Sequence, residues 1–184
     1  ECLIAQRLKR VPSILFKLQR RYNGREPSMK LSQMQDIGGC RAILSDVTLA
    51  KELCNNHFLK SDLKHKLVNK KDYISAPKSD GYRSLHLVYA YKSDKRKKEF
   101  NGLLTEIQIR SKLQHLWATA VETVGFMTRQ SIKCSEGDKN WTEFFRLISS
   151  AFAKLENCPI VPNTPNDEKE LYLQIKEKEK ELNV

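Results

Sequence analysis

Two eight-residue runs in this chain alternate apolar and polar side chains, and they restrict its fold more than any other feature. In residues 103–110, Leu103, Thr105, Ile107 and Ile109 fall on one face, and Glu106, Gln108 and Arg110 fall on the other. In residues 84–91, Leu85, Leu87, Tyr89 and Tyr91 share one face. Successive side chains of a strand point to opposite faces, so each run predicts a strand with one face turned to a core. The basic, glycine-containing stretch 93–102 joins them, which predicts an antiparallel hairpin.

Other elements follow from weaker signals. Residues 39–44 alternate and read as a strand, and Asp46 is placed to cap a helix carrying Leu49, Ala50, Leu53 and Cys54. A weaker strand is expected near 66–74. Pro12 and Ser13 suit the first turn of a helix that runs through Leu18 to about Tyr22, and a polar loop follows from Asn23 to about Gln33. Ser75 to Gly81, with Pro77 and Asp80, is a loop. Leu113, Leu116, Trp117, Ala120, Val121 and Val124 recur at helical spacing, as do Trp141, Phe144, Phe145, Ile148 and Phe152. Pro159, Pro162 and Pro165 interrupt the chain before a charged helix from about Asp167 to Leu182. That helix is expected to pack on a segment outside the chain or on a partner. The order predicts an α+β fold: a mixed, mostly antiparallel sheet flanked by helices, with a helical C-terminal part. The expected division is a domain over 1–128 and a C-terminal helical extension over 129–184.

Composition narrows the function classes. With 184 residues, 40% hydrophobic and 30% charged, the chain can bury a core, and its apolar runs are too short to span a membrane. No signal peptide is visible, and the first residue is Glu1, so an excised domain is expected. Cys2, Cys40, Cys54, Cys134 and Cys158 are odd in number and widely spaced, which fits free thiols in a reducing cytoplasm. The net charge of +11 is uneven: residues 1–30 carry 8 basic against 2 acidic side chains, and residues 60–100 carry 12 against 5. Such blocks suit a polyanionic ligand, although a lysine-rich solvated surface is the commoner meaning of charge alone.

Four groups of residues can do chemistry. Arg7 and Lys9 share a face of an extended segment, while Ser13 and Lys17 share a face of the helix that begins at about Pro12, whose positive end adds to a triphosphate-holding site. Asp36 precedes one strand and Glu106 sits on the polar face of another, and Mg²⁺ on a nucleotide commonly takes one or two carboxylates plus phosphate oxygens. In the loop 72–86, Gly81 permits a tight turn that displays Tyr82 for stacking on a base, with Lys78 and Arg83 near phosphates. Glu106, Gln108 and Arg110 are followed by His115 and Glu122, seven apart on one helical face. Each group alone reads as readily as a solvated or packed surface. No phosphate-binding GxxxxGK[ST] loop, GxSxG elbow or HExxH motif is present, and no His is followed by Asp.

The order of the motifs is more telling than any one of them. R-x-K-x3-S-x3-K at 7–17, D-I-G-G-C-R at 36–41, D-Y-I-x2-P-K-x2-G-Y-R-S-L-H at 72–86 and E-I-Q-I-R at 106–110 together resemble the synthetase domain of the RelA/SpoT family. These enzymes make the guanosine tetra- and pentaphosphate alarmones of the stringent response. The resemblance covers roughly residues 5–125 and implies the nucleotidyltransferase-like fold of that family. It implies that Arg7, Lys9, Ser13 and Lys17 grip ATP with support from Arg41. Asp36 and Glu106 are implied as the catalytic pair holding Mg²⁺. Lys78, Tyr82, His86, Gln108, Arg110 and His115 are implied on the acceptor side. The reaction so implied moves the β,γ-pyrophosphate of ATP to the 3′-hydroxyl of GDP or GTP. Arg83 stands where long RelA/SpoT enzymes usually carry Gln, and 113–122 resembles a small-synthetase subgroup. The tRNA 3′ end, as in toxin-type relatives, an adenosine nucleotide, and a non-catalytic nucleotide- or RNA-binding role stay open beside it. Self-association into a homo-oligomer is also left open.

Overall fold

The computed structural model describes residues 2–21, 24–128 and 138–184. Tyr22, Asn23, Cys134 and the start of the expected C-terminal extension lie outside the described residues. The order is β1 (Leu3–Leu8), α1 (Val11–Gln19), β2 (Gly38–Leu44), α2 (Val47–Glu52), β3 (Lys66–Asp72), β4 (Leu85–Ala90), β5 (Leu104–Ser111), α3 (Lys112–Met127), α4 (Lys139–Leu155) and α5 (Glu168–Leu182). After α2 the chain continues through a π-helical stretch, Leu53–Leu59.

The five strands form one sheet in the order β1-β2-β5-β4-β3. The β4–β5 hairpin is antiparallel, with His86 opposite Gln108 and Leu87 opposite Ile107. Among the described strands only β2 and β5 run parallel. Alternation then sorts the sheet into two faces. Ala42, Leu44, Leu85, Leu87, Tyr89 and Ile109 go inward and meet Val47, Ala50 and Cys54 beneath them. Burying these apolar side chains is the main force holding α2 to the sheet. Asp46 caps α2 by accepting from the Leu49 amide.

At the far end β5 runs straight into α3. Ser111 caps that helix, and Gln114 returns the bond to the Ser111 amide, so the turn is fixed without a loop. Trp117 and Val121 of α3 pack on Phe145 of α4. The last helix differs from expectation: α5 packs inside the chain, placing Leu171 and Ile175 against Leu147 of α4. The apolar stripe in its charged sequence is narrow, and α4 supplies the surface it needs. Among the described residues no helix is long and apolar enough to cross a membrane.

Candidate active site

The polar face of the sheet floors a cleft of about 290 Å³. Strand register builds that floor in rows. Arg41, Gln108, His86 and Lys71 stand side by side across β2, β5, β4 and β3. In the next row Arg7 of β1 pairs with Gly39 of β2, which pairs with Glu106 of β5. Gly39 has no side chain to separate them, and Arg7 Nη1 donates to Glu106 Oε2 at 3.5 Å. A Cβ on Gly39 would lie 2.0 Å from the Glu106 carbonyl oxygen, so the strand pairing there requires glycine.

Glu106 belongs to a closed ring of hydrogen bonds. Gln108 Nε2 donates to Glu106 Oε2 at 2.6 Å, and Gln108 Oε1 accepts from Arg110 at 3.1 Å and Arg41 at 3.3 Å. Arg110 also donates to the Tyr82 hydroxyl at 2.5 Å. The Tyr82 hydroxyl meets His86 Nε2 at 2.7 Å, and His86 Nδ1 meets Glu106 Oε1 at 2.8 Å. Burial opposes ionisation of Glu106, but His86, Gln108 and Arg7 outweigh it and hold the carboxyl below its ordinary 4.5. An ionised carboxylate only accepts, so His86 Nδ1 carries the proton and, in neutral His86, Nε2 accepts from Tyr82.

Asp36 enters the cleft from the segment before β2. Lys9, just past β1, reaches Asp36 Oδ2 at 2.6 Å, and Lys17, in the last turn of α1, reaches Oδ1 at 2.9 Å. Burial again opposes the charge, and the two lysines overcome it, keeping Asp36 below its ordinary 3.8. The side chains of Asp36 and Glu106 are 15% and 14% exposed, so solvent screens these pairs only in part.

The third wall is the loop before β4. Gly81 adopts φ +91°, the left-handed region that glycine enters without strain. Tyr82 follows, half-buried, edge-on to Tyr73, His86 and Trp117. The Lys78 ammonium lies 4.7 Å from the Tyr73 ring centre and 5.2 Å from that of Tyr82.

Arg7, Asp36, Arg41, Lys78, Tyr82, His86, Glu106, Gln108 and Arg110 line the cleft, and Lys9 and Lys17 join it through Asp36. Ser13 is exposed on α1 and is not among the lining residues. His115 is not among them either. Its Nδ1 is buried without a hydrogen-bond partner, and burial beside Arg41 and Arg110 pushes its pKa down. Arg83, expected near phosphates, faces the other way: it is buried and donates to the Pro159 carbonyl, because alternation turns it opposite to Tyr82. Sequence reasoning missed Lys71, Tyr73, Asp80, Trp117, Val121, Thr142 and Phe145 as lining residues. Position opposite His86 marks Lys71 once β3 and β4 are aligned, but no local pattern marks the others as lining residues.

The donor chemistry suits a hard divalent cation. Among the described residues no three His, Cys, Asp or Glu side chains gather as a closed metal cage. Two carboxylates facing one polar cleft match the way Mg²⁺ is held, with phosphates and water completing the shell.

The cleft thus combines two carboxylates, a cluster of arginines and lysines, and an aromatic loop over the floor of a mixed sheet. A family model described as a region found in RelA / SpoT proteins matches residues 6–126, and the chain belongs to this family. It is 34% identical over 126 residues to the GTP pyrophosphokinase YjbM of Bacillus subtilis (strain 168), covering 67% of this chain and 56% of that protein. It is 35% identical over 115 residues to the GTP pyrophosphokinase YwaC of the same organism, covering 61% and 52%. The chain thus spans about half the length of the curated relatives it matches. The crystal structure of small alarmone synthetase 1 from Bacillus subtilis bound to its product pppGpp is similar, with a TM-score of 0.68 at 29% identity over 84% of this chain and 74% of that one.

Proposed function

We propose that this chain transfers the β,γ-pyrophosphate of ATP to the 3′-hydroxyl of GDP or GTP, yielding AMP and guanosine tetra- or pentaphosphate. The observation that carries the reading is the meeting of Asp36 and Glu106 in one cleft with Arg7, Lys9 and Lys17 around them. The names of the two Bacillus relatives and the product bound to the similar structure agree with it.

On the donor side, Arg7, Lys9 and Lys17 take the ATP phosphates, Arg41 lends charge, and Ser13 lies on the same helix. On the acceptor side, Tyr82 receives the base, and Lys78, Gln108 and Arg110 receive its phosphates. His86 orients Glu106, and His115 stands behind Arg41 and Arg110. Asp36 and Glu106 would hold Mg²⁺, which when bound neutralises phosphate charge. The acceptor 3′-oxygen forms a bond to the β-phosphorus of ATP as the bond from that phosphorus to the α,β-bridging oxygen breaks. Glu106 takes the hydroxyl proton, and AMP leaves. Positioning and charge do most of the catalysis in such transfers. The free thiols among the described residues suit a reducing cytoplasm.

The test is incubation with γ-labelled ATP, Mg²⁺ and, in turn, GDP, GTP, ATP and bulk tRNA. AMP should appear only with an acceptor, and the label should move to the guanosine nucleotide. ADP as the product would sink the reading. Label on tRNA would move the acceptor to its 3′ end.

A further inference from the structure

We propose that α4 builds a further wall of the acceptor side, behind the loop before β4, and that Ser149 is the positioning residue that sets Tyr82 in place. The acceptor assignment rests on the function proposed above, whereas the brace itself stands on geometry. The peptide joining Gly81 to Tyr82 is held at both ends: Ser149 Oγ donates to the Gly81 carbonyl at 2.6 Å, and the Tyr82 amide donates to Asp80 Oδ1 at 2.9 Å. With that peptide plane fixed, the N–Cα bond of Tyr82 is fixed as well, and the ring is then held by its edge contacts with Tyr73, His86 and Trp117.

Ser149 is fully buried, so its bond does not compete with water. The turn is also pressed from both sides. A Cβ on Gly81 would meet Trp117 at 3.0 Å, the Ser149 Cβ at 3.1 Å and the Arg146 Cα at 3.4 Å. Trp117 is itself tied to α4, since its Nε1 donates to the Phe145 carbonyl at 2.7 Å. Thr142, Phe145 and Ser149 follow one another at spacings of three and four, one stripe of the helix. The first two line the cleft and the third holds the loop.

All of α4 lies beyond residues 6–126, the part that matches the family model. The surface that meets the acceptor is therefore partly supplied by a helix whose sequence the family motifs do not govern. Acceptor choice can change there while the donor side, built from β1, α1, β2 and β5, stays as it is.

Hydrogen exchange on the full chain without nucleotide reads the brace directly. In Ser149→Ala the Gly81 and Tyr82 amides should exchange about tenfold faster than in the unaltered protein, the scale of one lost hydrogen bond. Ser150→Ala is the control, because Ser150 neighbours Ser149 but bonds to Thr164 and the Val161 amide instead. It should leave exchange at Gly81 and Tyr82 unchanged. Ser149→Cys, with a weaker donor on the same stem, should fall between and serves if the alanine variant does not fold. In initial-rate kinetics, Ser149→Ala should raise KM for the acceptor and leave KM for ATP as it was. Equal exchange in the Ser149 and Ser150 variants, or equal rises in both KM values, overturns the proposal. If the unaltered protein makes no AMP with any acceptor, the proposed function falls instead, and the exchange comparison alone decides the brace.

Discussion

Asp36 and Glu106 are each stabilised as anions by neighbours that a nucleotide would otherwise engage. Asp36→Asn and Glu106→Gln keep size while removing charge, and each should reduce transfer by orders of magnitude in initial-rate assays, with the fold retained by circular dichroism. Near-normal turnover would make that carboxylate a surface residue only. The same pairs predict a pH dependence. Both carboxyls sit below their ordinary values of 3.8 and 4.5, so the stability they contribute is complete above that range. It is lost as pH falls through their lower folded values. Thermal unfolding below about pH 5 should therefore fall less steeply in either variant than in the unaltered protein. At this scale the sequence was informative about which residue types gather, because motif order placed Asp36, Tyr82 and Glu106 in one site. It said nothing of the ring through His86, Tyr82 and Arg110, since hydrogen-bond partners come from register. Arg83 shows the limit: adjacent to Tyr82 in sequence, it is turned away by the alternation of an extended chain.

Among the elements, the β4–β5 hairpin and the α2 cap were readable because each rests on local signals: alternation with a connecting loop, and an aspartate before an apolar helical face. The parallel pairing of β2 with β5 was not, because some sixty residues separate them and no short-range pattern encodes the match. The D-I-G-G-C-R motif does record it once the pairing is known. Gly38 faces open space, whereas Gly39 presses on the Glu106 backbone. Gly38→Ala should be tolerated, and Gly39→Ala should cost about 1–3 kcal/mol in urea unfolding, with a larger loss of turnover as Glu106 shifts. Similar stabilities for the two variants would mean that β2 and β5 do not meet in this register. The packing of α5 on α4 escaped sequence reading for a related reason: Leu171 and Ile175 form a stripe too narrow to name its partner.

Across the whole molecule, a net charge of +11 raises the question of which basic residues serve the site and which only face solvent. The cleft uses Arg7, Lys9, Lys17, Arg41, Lys71, Lys78 and Arg110, while the lysine-rich tip 92–98 is not among its lining residues. Replacing Lys95, Arg96 and Lys98 with Ser, and leaving Lys97 because its φ of 56° is already unusual, should not change transfer to a free nucleotide. Transfer should also depend weakly on salt, because a free nucleotide carries no condensed counterion atmosphere to release, whereas a tRNA acceptor would show a steep salt dependence. Loss of transfer in the tip variant, together with such a dependence, would assign the tip to an RNA acceptor.

The pairing of Lys9 and Lys17 with Asp36, and of Arg7 with Glu106, makes ligand entry a change of partners. A ligand that brought only negative charge would draw Lys9 and Lys17 away and strand Asp36 in a half-dry cleft, where an unpaired charge is expensive, while Glu106 would keep His86 and Gln108. A ligand that brings anions and a cation together gives every side chain a new counterpart. On the proposed function, the cleft would select by sign as well as by shape, favouring visitors that are themselves ion pairs.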